Sequence, residues 1–288
     1  GYRAATPKQS PQQAALATKS TSPKEDLEAL IKVDPITMEV GLGLVHLVEG
    51  GADSPLLRRI SAIRKQVALD LGFVLPPVRV ADNVGLQARQ YTVLIKGVEV
   101  SRYELPVGCD LAIPSGNAAA PPQSTPTLDP AFGISAYWVP SNLSEKLRND
   151  GYTVVDQISV VGTHLGELVR RHFHEVLSRQ DTKKILDRVA EDHPRLIEDL
   201  VPKTVSLSTV QRIFQNLLRE RVSIRDAASI LEALSEAAAM TRNQILMTEF
   251  VRQSLRRSLV RRYLDDHNTL RAFILDAGLE QGIERAIE

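Results

Sequence analysis

The chain has 288 residues, of which 43% are hydrophobic and 24% are charged, and its formal net charge is zero. This length is too great for one small core, so we expect two to four compact units of ordinary globular composition. A zero net charge provides no overall basic field that would attract nucleic acid or an anionic membrane. The single cysteine, Cys109, excludes an internal disulfide and a zinc site made of cysteines alone, and it fits a reducing compartment.

The start of the sequence has the composition of a linker. No signal-peptide pattern is present, and no apolar run approaches the roughly 18–20 residues that cross a bilayer, so we expect a soluble chain. Residues 1–24 are rich in Ala, Gln, Ser, Thr, Pro and Lys, which is too polar to bury a core. Leu27, Leu30 and Ile31 then follow helical spacing, and a short apolar segment of this kind can dock on its own domain or on a neighbour.

The next part of the chain predicts an α+β unit. Residues 33–41 read as a strand. A helix is predicted from Ser54 to Gly72, because Ser54 suits an N-cap and apolar residues recur at helical spacing behind a proline at the first helical position. Strands are predicted over residues 76–83 and 91–100, the second as one continuous strand.

The middle of the chain predicts a loop-rich insertion followed by helices. Proline, glycine, alanine and serine become frequent between Val107 and Asp129, which indicates a long loop or an inserted small unit. A short helix capped by Ser141 and a strand over residues 152–156 are predicted next. A further helix is predicted to begin at Thr163.

Beyond residue 178 the pattern is almost purely helical, ending in one long helix over residues 243–264, and this predicts a helical domain. Residues 269–276 then predict a strand, and a helix begins at residue 277. One strand and one helix cannot bury a core, so we expect this last unit to be incomplete.

The sequence gives little support for enzymatic chemistry. It contains neither a phosphate loop nor the glycine fingerprint of dinucleotide sites, and Gly41 and Gly43 are interpreted as a turn or strand irregularity. His172 and His174 lie about 200° apart on a helix and cannot bind one metal ion from the same face, so ordinary helix histidines are favoured. No G-x-S-x-G elbow occurs, and Cys109, which has no C-x-x-C partner, is expected to be a buried apolar residue. We therefore expect no enzyme activity, no metal and no cofactor.

A basic stripe near the end of the chain is the feature that favours nucleic acid. Against that interpretation, acidic residues balance the charge overall, and no aromatic side chains alternate with the arginines to stack on bases. A solvated face or a subunit contact is favoured, with a nucleic-acid-binding module as the alternative. The stripe consists of Arg252, Arg256, Arg257, Arg261 and Arg262.

The segment LDPAFGISAYWV, residues 128–139, is the densest aromatic patch of the chain. Asp129, Pro130 and Gly133 predict a turn that leads into a strand. Phe132 falls within the turn. It either caps the core, which contributes about 1.5–3 kcal/mol, or lines an apolar dimple that accepts a partner's side chain. The residues alone favour the core position.

Long segments of the chain resemble a known family. In order from about residue 33 to the end, the sequence is similar to the cytoplasmic region of the FHIPEP family, the export-gate proteins of the bacterial flagellar type III secretion system. Injectisome gate proteins are more distant relatives. A colinear match over so much of the chain is more specific than any short motif. The matching segments are residues 33–41, 58–83, 91–100, 128–139, 151–169, 196–234 and 269–276.

The resemblance implies an α+β fold made of several small α/β units and one all-helical unit, in which the second unit interrupts the first. The implied divisions are a linker to an absent membrane region (1–32), a discontinuous α+β subdomain (33–106 with 154–177), an inserted subdomain (107–153), a helical subdomain (178–254) and a truncated C-terminal α/β subdomain (255–288).

The resemblance also implies a function and a site. The family member would be a docking platform at the cytoplasmic face of the bacterial inner membrane, receiving chaperone–cargo complexes for export; an injectisome gate is the alternative. Asp129, Phe132 and Thr163 would form a hydrophobic dimple, with Val155 and Val160 lining the same groove. Thr163 also fits the N-cap of the helix predicted to begin there.

The partners implied by the resemblance are proteins. They are flagellar chaperones of the FliS, FliT and FlgN types, FlhB, the export ATPase complex and further copies of the chain in a nine-membered ring; no nucleic acid and no cofactor are implied. Leu27 and Leu30 are expected linker contacts, and Arg64 is expected at the ring interface.

Overall fold

The computed structural model describes Gly1 and residues 33–51, 54–116, 120–261 and 263–287. This part of the chain is α+β, as predicted, with two four-stranded sheets and a long helical region. The strands are β1 (Ile36–Val40), β2 (Val78–Asp82), β3 (Gln90–Ile95), β4 (Val98–Glu104), β5 (Cys109–Ile113), β6 (Thr125–Leu128), β7 (Ser135–Pro140) and β8 (Thr153–Val155). The helices are α1 (Pro55–Leu71), α2 (Ser144–Asn149), α3 (Gln157–Val176), α4 (Arg179–Asp192), α5 (Pro194–Leu200), α6 (Leu207–Arg219), α7 (Ala227–Met240), α8 (Gln244–Ser254), α9 (Arg256–Arg261) and α10 (Ala277–Ile287).

The first sheet has the order β2-β1-β3-β4, with β1 parallel to β2 and the other pairs antiparallel. Helix α1 forms as predicted: the Ser54 hydroxyl accepts a hydrogen bond from the Leu57 amide at 3.2 Å, and Gly72 ends the helix with a φ of 79°. The single strand predicted over residues 91–100 is wrong. Lys96 and Gly97 adopt φ values of 50° and 79°, which turn the chain into a β3–β4 hairpin. A short 3-10 helix over Leu42–Leu47 follows Gly41, where a turn or strand irregularity was predicted.

The second sheet is antiparallel with the order β6-β7-β5-β8. The segment predicted as a loop or inserted unit therefore supplies two of its strands. The predicted cap of the following helix is wrong, because Ser141 begins a 3-10 turn and makes no capping hydrogen bond before α2 starts at Ser144.

Helix α3 begins six residues before the predicted start. Its N-cap is Asp156, whose carboxylate accepts from the Ser159 amide at 3.0 Å. Thr163 therefore lies within the helix, and its interpretation as an N-cap is wrong. Helix α3 packs against both α1 and α6. It is the central element of a continuous apolar core that includes Leu165 and Phe173.

The helical region departs from prediction at its end. The long helix predicted over residues 243–264 is two helices, α8 and α9, separated by a turn at Leu255. Residues 269–276 form no strand; an isolated antiparallel bridge joins Leu264 and Leu270. Within the described residues, no helix combines the length and the apolar character that a membrane span needs.

The predicted subdomain boundaries stay a prediction. Residues 154–177 were placed with the first subdomain, and α3 does pack on α1 and β3. Strand β8, however, pairs with β5 of the second sheet. Around Asp156 the chain thus leaves the second sheet and enters α3, which packs on the first sheet.

Candidate functional site

The turn between β6 and β7, residues 129–134, is built by Asp129; we call it the Phe132 turn. The Asp129 side chain accepts a hydrogen bond from the Phe132 amide at 2.8 Å, and its carbonyl accepts one from the Gly133 amide at 2.8 Å. Gly133 has a φ of 68°, a conformation that glycine adopts without strain. Asp129 itself is only 5% exposed. The carboxylate therefore shapes the turn, whereas the resemblance implied that Asp129 itself forms part of the dimple.

The turn presents Phe132 to solvent. Its side chain is 61% exposed, while the neighbouring Ala131 is buried and holds the turn against the core. Leu128 and Ile134 are exposed on either side of it. The core position that the residues alone favoured for Phe132 is wrong, and the described surface carries a small apolar patch centred on this ring.

Tyr103 on β4 supports the strand that leads into the turn. Its hydroxyl donates to the Leu128 carbonyl at 3.1 Å and lies 3.1 Å from the Thr127 hydroxyl. The Tyr103 ring packs at 6.4 Å from Trp138 on β7 and at 6.2 Å from Tyr91 on β3. Packing and hydrogen bonds from the first sheet thus stabilise β6 and β7, the two strands that the turn joins.

Helix α3 contacts the turn through Arg171, whose Nη2 donates to the Ala131 carbonyl at 2.9 Å. Glu167, one helical turn earlier, is buried and pairs with Arg171 at 3.4 Å and with Arg221 at 2.8 Å. Thr163 is half-buried and precedes Glu167 by four residues, so the two side chains lie on the same face of α3. Along the helix axis, Thr163 is about 12 Å from Arg171. The contacts therefore reach the turn at Arg171, two turns beyond Thr163.

The two predicted groove valines differ in their surroundings. Val155 is half-buried on β8, opposite Leu111, which in turn lies opposite Trp138. Val160 is 2% exposed and belongs to the core. Val155 thus lies on the edge strand of the sheet that carries the Phe132 turn, at the opposite edge from β6, whereas Val160 is part of the apolar core.

A buried polar cluster that the sequence did not predict lies between α3 and the first sheet. Both ring nitrogens of His164 on α3 are hydrogen-bonded: Nδ1 lies 2.7 Å from the Tyr91 hydroxyl and Nε2 lies 3.0 Å from the Ser101 hydroxyl. In the neutral ring one nitrogen donates and the other accepts. Burial and, secondly, the Arg171 charge lower the pKa of His164 to about 4. Burial, together with Tyr103 and Asp129, raises the pKa of Tyr91. A polar residue within an otherwise apolar helical stretch was the available signal.

Arg64, the predicted interface residue, lies at the edge of a cavity of about 440 Å³. Its Nη2 donates to the Leu75 carbonyl at 2.8 Å, and its Nε is buried without a hydrogen-bond partner among the described residues. Phe73, Leu75 and Ile185 are buried apolar residues of the lining. Lys184 and Arg188 add two cations to it.

The remaining predicted residues are Leu27, Leu30 and the arginine stripe. Leu27, Leu30 and Arg262 lie outside the described residues. Arg252 pairs with Glu220 at 2.7 Å and also with Glu249, so its charge is compensated. In the described ranges, no three His, Cys, Asp or Glu side chains lie close enough together to hold a metal ion.

The chain matches known proteins over nearly all its length. It is 40% identical over 255 residues to the flagellar biosynthesis protein FlhA of Escherichia coli K12, covering 88% of this chain and 37% of that protein. The chain therefore spans little more than a third of this relative. Flagellar biosynthesis protein FlhA of Bacillus subtilis is 35% identical over 264 residues, covering 92% of this chain and 39% of that protein.

Solved structures share the fold. The CdsV protein of Chlamydia pneumoniae, in a complex with CdsO, superposes with a TM-score of 0.76 at 23% identity, covering 88% of this chain and 74% of that one. The FHIPEP family profile matches residues 2–288, and the chain belongs to the FHIPEP family.

Proposed function

We propose that this chain is a docking platform of the flagellar type III protein export gate, where it receives chaperone–cargo complexes at the Phe132 turn. The observation that carries the proposal is the exposed phenylalanine on a turn that a buried carboxylate and α3 hold in place. An exposed aromatic residue on a turn whose backbone is held in place offers apolar area to a partner without the cost of ordering the turn. In this proposal Leu128 and Ile134 flank the ring, and the half-buried Val155 and Thr163 belong to the same docking surface farther from the turn.

The test is calorimetry of the full chain with chaperones of the FliS, FliT and FlgN types, each bound to its cargo. Phe132→Ala removes the exposed ring, so we expect at least a tenfold loss of affinity for the chaperones that dock there, since burying a phenylalanine is worth about 1.5–3 kcal/mol. Phe250→Ala is the matched control, because Phe250 is an exposed phenylalanine on α8. Unchanged affinity of Phe132→Ala for every chaperone would overturn the proposal.

Two alternatives are less well supported. The FlhA relatives named above share 35–40% identity with this chain, whereas CdsV shares 23%, which favours a flagellar gate over an injectisome gate. The nucleic-acid alternative is based on one basic helix that carries the arginine stripe, yet the helix is interrupted at Leu255 and Arg252 is paired with glutamates. Steeply salt-dependent DNA affinity would favour that role.

The proposal extends to assembly and location. SctV-C of EPEC is nonameric and shares the fold, with a TM-score of 0.61 at 19% identity over 82% of this chain and 69% of that one. We extend the ring to this chain, with Arg64, Leu27 and Leu30 at subunit contacts and FlhB and the export ATPase complex as further partners. The platform would lie at the cytoplasmic face of the inner membrane and would have no enzymatic role.

A further inference from the structure

The orientation of the exposed phenylalanine depends on one carbonyl group. Phe132 has little packing of its own, so the backbone of the turn sets its direction. The Ala131 carbonyl belongs to the planar peptide group that joins Ala131 to Phe132. Arg171 donates to that carbonyl at 2.9 Å from α3. Holding this oxygen therefore fixes the peptide plane from which the Phe132 side chain projects.

The guanidinium that reaches this carbonyl is itself held. Nε of Arg171 donates to Oε1 of Glu167 at 3.4 Å, and Arg221 donates to the same oxygen at 2.8 Å. The Glu167 side chain is 9% exposed. The two guanidinium groups compensate the charge of the buried carboxylate, and these ion pairs stabilise its position. Arg221 follows α6, so the chain of contacts runs from the turn to the helical region.

We infer that Arg171 is a positioning residue for the Phe132 turn, and that Glu167 holds its guanidinium in place. The inference rests on the proposed docking function and goes further, because it names residues that set affinity through the placement of Phe132. Arg171 is half-exposed, so direct contact with the partner is the competing explanation. The experiments below separate the two.

Amide hydrogen exchange tests the positioning without any partner. The Phe132 and Gly133 amides both donate to Asp129 within the turn, so their exchange reports its order. In Arg171→Met we expect at least tenfold faster exchange at these two amides, with unchanged urea stability of the full chain. Arg170→Met is the matched control, because Arg170 is the adjacent arginine and faces Asp70 at 4.0 Å. Exchange as slow as in the wild type would overturn the inference.

A double-mutant cycle tests whether Arg171 acts through Phe132. With the chaperone that binds the wild-type chain most tightly, we expect Arg171→Met to weaken affinity about tenfold, which corresponds to about 1.4 kcal/mol. In the Phe132→Ala background the same substitution should have less than a twofold effect. An equal loss in both backgrounds means direct contact with the partner and contradicts positioning.

Two further variants complete the test. Glu167→Gln should increase exchange at the same amides, because Arg171 loses its ionic partner, and Arg171→Lys should restore part of the protection by keeping a donor. If no chaperone binds even the wild-type chain, the proposed function fails, whereas the exchange comparison still decides the role of Arg171.

Discussion

Asp129 is a buried acid that determines the conformation of a turn at the surface. Its carboxylate accepts from the Phe132 amide and so closes the turn that exposes the neighbouring ring. A role of this kind depends on an oxygen at the right place and not on a negative charge. The distinction separates a residue that builds the docking surface from one that contacts a partner.

Asp129→Asn and Asp129→Ala should therefore differ. Asparagine keeps a side-chain oxygen, so we expect chaperone affinity within about threefold of the wild type, whereas alanine leaves the Phe132 amide unpaired, costs about 1 kcal/mol and loosens the turn. We expect at least a tenfold loss of affinity for the alanine variant by calorimetry. Equal losses for both variants would indicate that the charge itself meets the partner.

Gly72 shows a second residue whose role is steric. It ends α1 with a φ of 79°, and a Cβ added there would lie 2.2 Å from the Cα of Arg225. Beside it, the Ile224 amide donates to the Leu71 carbonyl at 2.9 Å. The helix end thus touches the loop between α6 and α7 backbone to backbone.

Gly72→Ala should be strongly destabilising. The clash meets backbone atoms that cannot rotate away, and the positive φ adds strain, so we expect a loss of roughly 2–4 kcal/mol in urea unfolding. Gly151→Ala is the control, because Gly151 has a φ of 89° with nothing within 4 Å of the added Cβ, and it should cost only about 1 kcal/mol. Similar losses for the two variants would show that the backbone contact is unimportant.

At the scale of elements, a comparison of α3 with α1 shows which helix starts the sequence predicts and which it does not. The first turns of α3 contain isoleucine, valines and a glycine, residues with poor helix propensity that read as an extension of the strand before them. Packing on α1 and α6 overrides that local preference. The start at Asp156 was therefore missed, whereas α1, with Ser54, a proline and Gly72, was predicted to within a residue.

The buried cluster between β3, β4 and α3 should make stability depend on pH. The folded pKa of His164 is about 4, below an unfolded value of about 6.5. The unfolded chain therefore binds a proton first as the pH falls, and stability is lost from about pH 6.5 downward until the folded pKa is reached. At about 1.4 kcal/mol per pH unit, this residue alone removes up to roughly 3 kcal/mol.

Urea unfolding between pH 7.5 and 4.5 measures this loss of stability, and NMR titration of the histidines shows whether His164 causes it. The groups around His164 are Tyr91, Ser101, Tyr103 and Arg171. His164→Gln should flatten the pH dependence from a lower starting stability, because it removes the group whose pKa is lowered. An NMR pKa near 6.5 for His164 would contradict the prediction.

At the scale of the whole molecule, the resemblance found in the sequence gave the family, whereas the geometry of the site needed coordinates. The apolar alternation predicted β1 and the helical spacing predicted most of the helical region. Periodicity did not show that Asp129 is buried, that Val160 is in the core or that Arg171 reaches the turn, since each depends on contacts far apart in sequence. The strand predicted over residues 269–276 did not form, because within the described chain no neighbouring strand pairs with it.

Assembly of the chain is the property that local patterns constrain least, and it is open to direct measurement. If subunits associate through the segments proposed above, sedimentation velocity should show a mass that rises with concentration. Replacing two leucines at a contact by aspartates introduces charge into an apolar interface, so Leu27→Asp with Leu30→Asp should weaken self-association at least tenfold.

Leu16→Asp, in the polar stretch before that segment, is the control for added charge alone. Arg64→Glu reverses a charge beside the cavity formed with Lys184 and Arg188, and it should weaken association as well if that surface meets a neighbour. Thermal unfolding distinguishes this effect from misfolding, because Arg64 also donates to the Leu75 carbonyl. A wild-type chain that remains monomeric at its highest soluble concentration would contradict the proposed ring. Leucine variants that sediment as an associating wild type does would remove Leu27 and Leu30 from its interface.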